Sequence, residues 1–279
     1  MNLYQYWKIS CIVSPIELSS HDISVKMKKD YRIEICANSV ESAVLAQTGG
    51  ACRVELCAGI PEGGTTPSFG EILTARSVLR QTKLHVIIRP RGGDFLYSNT
   101  ELEIMLHDIE QAKELGVDGV VFGCLTADGD IDMKAMERLM KKSDGLSMTF
   151  HRAFDVCRNY RKALNDIISL GCQRILTSGQ QPNAVEGIPL LKKLVELAGE
   201  RIIIMPGCGI NPLNIRKIAE KTGANEFHFS GRSTRESRMR FRNPNVSMGG
   251  TVRIDEYRQD VTDPYLVEAA LQALLTRTP

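Results

Sequence analysis

Residues 32–58 read RIEICANSVESAVLAQTGGACRVELCA, and the order of patterns within them decides the fold. The stretch opens on a short, β-branched run at 32–37. Ser39 then precedes an amphipathic segment whose first turn its hydroxyl can cap. Gly49-Gly50 ends that segment as a helix stop, and a second strand-like run follows at 53–58. A strand, a helix and a strand joined by such short turns form a crossover unit, which makes the two strands parallel.

Working outward, the unit recurs. Strand-like runs stand at 32–37, 53–58, 84–89, 119–123, 147–151, 174–178, 201–205 and 226–230, with helical patterns starting near Ser39, Ser68, Asn99, Asp132, Tyr160, Gly187, Pro212 and Pro264. Eight alternating units predict an α/β protein, a single-domain TIM (β/α)8 barrel over residues 28–279. An open doubly wound sheet is the competing architecture. No Gly-x-Gly-x-x-Gly follows the first strand, which argues against a dinucleotide fold. Residues 1–27 match nothing downstream and read as a poorly ordered N-terminal extension or a misplaced start. Residues 231–263, between the last strand and the last helix, make an unusually long loop, and such loops are commonly functional.

The chain has 279 residues, 43% hydrophobic, with a net charge of +2. That balance gives no electrostatic case for a nucleic-acid partner. Arg232, Arg235, Arg238, Arg240 and Arg242 are locally dense, but they read as cover for the barrel mouth or a subunit interface. No apolar run approaches the roughly 18 residues of a membrane helix, so no membrane partner is expected. Eight cysteines without a Cys-x-x-Cys pair, in a chain of this size, read as reduced thiols of a cytoplasmic protein.

In such a barrel, chemistry gathers at the C-terminal ends of the strands. Glu34 and Cys36 are two apart, as are Glu55 and Cys57, so each pair shares a face. If both faces point inward, two carboxylates and two thiols converge from adjacent strands. Phe227-His228-Phe229-Ser230 would turn His228 and Ser230 inward, and Thr149-Phe150-His151-Arg152 brings His151 and Arg152, with Asp155 just beyond. Strand three ends in Arg89-Pro90-Arg91, and strand six in Thr177-Ser178.

Two themes follow. One is anion binding by Arg89, Arg91, Arg152, Ser178 and Arg232, with the backbone at Gly207, Gly209 and Ser230. The other is a metal, where thiolates favour Cu(I) and Glu or His suits zinc or manganese. Structural alternatives stand beside both. The glutamates could pair with Arg89 or Arg152, the cysteines could fill the core, and the glycines could serve tight turns. His85 and His107 read as structural.

At these residues the chain resembles the CutC copper homeostasis protein family. The matching segments include 36–43, 53–57, 62–68, 88–95, 149–155, 174–179, 205–207 and 226–228. The resemblance implies a cytoplasmic TIM barrel, a part in copper handling, a homo-oligomer, and Cu(I) held by Cys36 and Cys57. Gly207-Cys208-Gly209 departs from the family's three glycines and could add a thiol. Two functions therefore stand open. The first is a copper-homeostasis protein binding Cu(I) at the barrel mouth. The second is an enzyme for a small anionic or phosphorylated substrate. It would use Glu34, Glu55, His151, His228 and Asp155 for acid–base work, with the arginines as a clamp.

Overall fold

The computed structural model describes residues 30–246, 248 and 255–276. The expected N-terminal extension lies outside these residues. Eight parallel strands form the barrel: β1 (Arg32–Ala37), β2 (Arg53–Leu56), β3 (Lys83–Ile87), β4 (Gly119–Phe122), β5 (Ser147–Phe150), β6 (Arg174–Thr177), β7 (Ile203–Pro206) and β8 (Glu226–Phe229). They are ordered β7-β6-β5-β4-β3-β2-β1-β8, and a parallel bridge between Gly207 and His228 closes β7 onto β8. The helices are α1 (Val40–Thr48), α2 (Phe69–Val78), α3 (Asn99–Glu114), α4 (Met133–Lys142), α5 (Tyr160–Ser169), α6 (Ile188–Ala198), α7 (Ile215–Thr222) and α8 (Pro264–Leu275). The open-sheet alternative is excluded.

Local chemistry sets these elements. Ser39 caps α1 by accepting the Ser42 N–H at 3.1 Å. Ser68 with Glu71, and Ser98 with Glu101, form capping boxes at α2 and α3, satisfying backbone donors the first turn would leave open. α7 starts at Ile215, three residues past Pro212, because Asn211 and Asn214 hydrogen-bond each other's backbone in a turn. Most strands end one or two residues earlier than the apolar pattern, since their last residues already belong to the mouth.

Alternate strand residues divide between two layers. Ile33, Ile35, Val54, Leu56, Val86, Phe122, Phe150, Ile175 and Phe227 face the helices in one hydrophobic cluster. The opposite parity faces the barrel axis and is strongly polar: Glu34, Arg53, Glu55, His85, Thr149, Arg174, Glu226 and His228 are all buried. A barrel interior is more often filled with branched apolar side chains.

Residues 231–263 are not a plain loop. β9 (Arg232–Glu236) and β10 (Arg258–Thr262) pair antiparallel as a hairpin arm. The arm is fastened to α1, where Asn38 donates to the Asp260 carbonyl at 2.8 Å and Thr262 N–H donates to Ser42 Oγ at 3.1 Å. Three of its arginines are engaged: Arg235 with Glu41, and Arg242 and Arg258 with Glu236. No described helix is long and apolar enough to cross a membrane.

Candidate functional site

The floor of the mouth is a chain of buried charges. Arg174 donates to Glu226 at 3.1 Å, Arg53 donates to Glu226 at 2.7 Å and also to Glu34, and Glu34 accepts from His228 Nδ1 at 2.8 Å. The glutamates therefore do not pair with Arg89 or Arg152. Arg53 reaches Glu34 from the neighbouring strand, where β1–β2 register sets the two residues side by side. Burial opposes ionisation of Glu34, but the Arg53 guanidinium and His228 outweigh it and hold the carboxyl well below the usual range. A buried charge persists only when paired in this way.

Above this floor lie the thiols. Cys36 Sγ and Cys57 Sγ are 3.8 Å apart. One carboxylate oxygen of Glu55 joins them, all three donor atoms lying within 4.8 Å of one another. The hydrogen bond from Cys57 pulls the Cys36 thiol well below its ordinary value, with burial opposing and His228 assisting. That same bond, with burial, pushes Cys57 up. His228 Nε2 stands 3.6 Å from Glu55. Burial disfavours the imidazolium, but Cys36 and Glu34 raise His228 well above its usual value. Burial lifts Glu55 to about 8. The mouth thus holds one thiol biased to the thiolate beside a second thiol that donates to it.

The thiols open into a cavity of about 220 Å3 whose lining also includes Ile87, Arg89, Phe95, His151, Arg152, Leu176 and His228. His151 Nδ1 accepts the Ala153 N–H at 3.3 Å, which puts the proton on Nε2. Burial, with Arg89 nearby, lowers this imidazole to about 3. Gly123 makes the room, since a Cβ there would come within 2.9 Å of His151 Nδ1.

The rest of the anticipated anion set is dispersed. Arg89 donates to the carbonyls of Glu62, Gly64 and Gly93. Arg91 turns to Glu101 and Asp94. Asp155 accepts from Thr177 Oγ1, from the Ser178 hydroxyl and from the N–H groups of Ser178 and Gln180. Arg152 donates to Asp155 and to Ser178. That carboxylate occupies the loop an external anion would need. The Gly207 N–H is spent on the Thr177 carbonyl, and Gly209 is not among the cavity's lining residues. Cys208 points its thiol at the Pro182 carbonyl, 3.1 Å away, and so stands apart from the thiol pair. Ser230 and Arg232 mark the passage from β8 into the arm, where Arg232 faces Asp260 at 3.8 Å.

Sequence reasoning missed Arg53, Arg174 and Glu226 as site-shaping groups. The signal was present as strict alternation in Arg53-Val54-Glu55-Leu56-Cys57 and Glu226-Phe227-His228, which places every charged residue on the thiol-bearing face.

Comparison with known proteins yields a consistent set. The CutC family model matches residues 31–233. The CutC family protein of Bacteroides thetaiotaomicron is 63% identical over 246 residues, covering 88% of this chain and 99% of that one. The human copper homeostasis protein cutC homolog is 51% identical over 233 residues, 84% of this chain and 85% of its own. Among solved structures, CutC from Streptococcus agalactiae superposes with a TM-score of 0.69 at 38% identity, over 72% of this chain and 98% of that chain. An aldolase at 14% identity and TM-score 0.55 shares the fold alone.

Proposed function

The chain belongs to the CutC family, and from that premise we propose that it serves copper homeostasis by binding Cu(I) at the mouth of its TIM barrel. Cys36 and Cys57 are the ligands in this reading. The observation that carries it is the thiol pair, with Sγ atoms 3.8 Å apart and a Glu55 oxygen beside them. Soft thiolates select Cu(I), and two or three donors suffice for it. Cu(I) is the cargo. The thiol already biased to the thiolate receives the ion, and the second thiol releases its proton to the solvent of the open mouth as it joins. Thiol ligands must stay reduced, which fits the cytoplasm. The wide anion clamp of the enzyme reading lacks support, since Arg91, Asp155 and the Gly207 N–H are committed to other groups.

Competition with a Cu(I) chelator tests the proposal. Wild type is expected to bind one Cu(I) per chain, and the Cys36→Ser/Cys57→Ser double variant to lose that binding. Equal tight binding by both proteins would remove this site. Self-association is part of the same reading. The described part of the arm carries Met239, Phe241, Val246 and Met248 exposed, and large exposed apolar side chains grouped on one segment mark an interaction surface.

A further inference from the structure

Three residues that line the mouth cavity each keep a buried polar atom with no hydrogen-bond partner: Arg89 Nε, His151 Nε2 and Glu55 Oε1. An unmet buried donor or acceptor is destabilising, and three on residues around one cavity mark a place where a ligand supplies the missing partners. Copper does not meet this need. Arg89 Nε and the Nε2 of His151, fixed in the N–H tautomer by Ala153, are both donors, and Arg152, whose Nε and Nη2 are held by Asp155 and Ser178, keeps its Nη1 at the half-exposed rim. Donors grouped in this way call for oxygen with negative charge.

We propose that this cavity binds a small organic carboxylate. Its carboxylate group sits on Arg89 Nε, His151 Nε2 and Arg152, and its far end carries a hydroxyl that meets Glu55 beside the thiols. Ile87, Phe95 and Leu176 supply the apolar wall between the two ends. A carboxylate fits better than a phosphate for a specific reason. Phosphate in such barrels is held by backbone N–H groups of the loops after the last strands and by helix N-termini. Here the Gly207 N–H is bonded to Thr177, and the N–H groups of Ser178 and Gln180 are bonded to Asp155. Two side-chain donors and a guanidinium match the two oxygens of a carboxylate. The cavity, about 220 Å3, has room for a small organic acid, since an apolar cavity of about 150 Å3 already takes benzene.

The test uses metal-free full-length protein titrated with 3-hydroxypropionate, with 3-hydroxypropionamide and inorganic phosphate as separate arms. It reads the side-chain Nε2–H resonance of His151 and the heat of binding. Saturable 3-hydroxypropionate binding is expected to move that resonance. The amide should bind about tenfold more weakly, because a hydrogen bond to a charged group is worth about 1.5–3 kcal/mol. His151→Phe and the rim variant Arg152→Gln should each weaken binding, with thermal melts showing that both remain folded. The Cys36→Ser/Cys57→Ser protein should keep carboxylate affinity while losing copper, so the two readings fail separately. Absence of saturable binding, equal affinity for the amide, tighter binding of phosphate, or indifference to both variants would overturn the proposal.

Discussion

Arg53 bridges two buried carboxylates. Its guanidinium joins Glu34 to Glu226 inside the barrel, with about 5% of its surface exposed. Arg53→Met would take one cation from each of two buried carboxylates, leaving Glu34 only His228 and Glu226 only Arg174, and breaking a buried pair from one side costs about 3–5 kcal/mol. Urea unfolding should show a loss of that size. A loss below about 1 kcal/mol, the worth of a surface pair, would mean water reaches the layer. Two histidines act in the opposite sense. Burial lowers both His85 and His151 to about 3, against about 6.5 in an unfolded chain. Between those values the unfolded chain takes up protons that the folded chain refuses. Stability contributed by each neutral imidazole is therefore complete above about pH 6.5 and falls as pH drops towards 3, by about 1.4 kcal/mol per pH unit for each residue. In His151→Gln the slope of stability against pH should be shallower by one such increment. Identical slopes would show that His151 gains its proton without unfolding.

Among the elements, β4 is the one shaped by what it lacks. Gly119 faces the axis, where a Cβ would lie 2.5 Å from the Ser147 carbonyl oxygen and 2.6 Å from His85 Nε2. Gly119→Ala should cost about 1–3 kcal/mol by overpacking, because backbone on the neighbouring strand cannot step aside. Gly70, near the start of α2, faces open space, with nothing within 4 Å of where a Cβ would stand. The same substitution there should stabilise by about 0.5–1 kcal/mol. Paired thermal melts read both signs, and equal effects would defeat the packing argument. Element starts were legible at Ser39, Ser68 and Ser98, because capping is chemistry within three residues. The arm was not, since β9 and β10 are polar strands whose pairing joins residues far apart in the chain.

At the scale of the molecule, the arm departs from the barrel plan and carries the exposed apolar residues Phe241 and Met248. Wild type should run above the mass of one chain in light scattering, and Phe241→Glu/Met239→Glu should lower that mass. An unchanged mass in the double variant would clear the arm of that role. The sequence by itself determined the barrel, because eight strand–helix periods and their caps are local patterns that parallel crossover geometry converts into one closed topology. It also put Glu34 with Cys36 and Glu55 with Cys57 on common faces, since strand parity is fixed by counting. Only the tertiary structure decided which charges neutralise which. Arg53 rather than Arg89 meets Glu34, Asp155 fills its own loop, and Cys36 and Cys57 come within 3.8 Å. Those outcomes depend on register and closure between strands, and distances of a few ångströms across a barrel are not written in the spacing along any one strand.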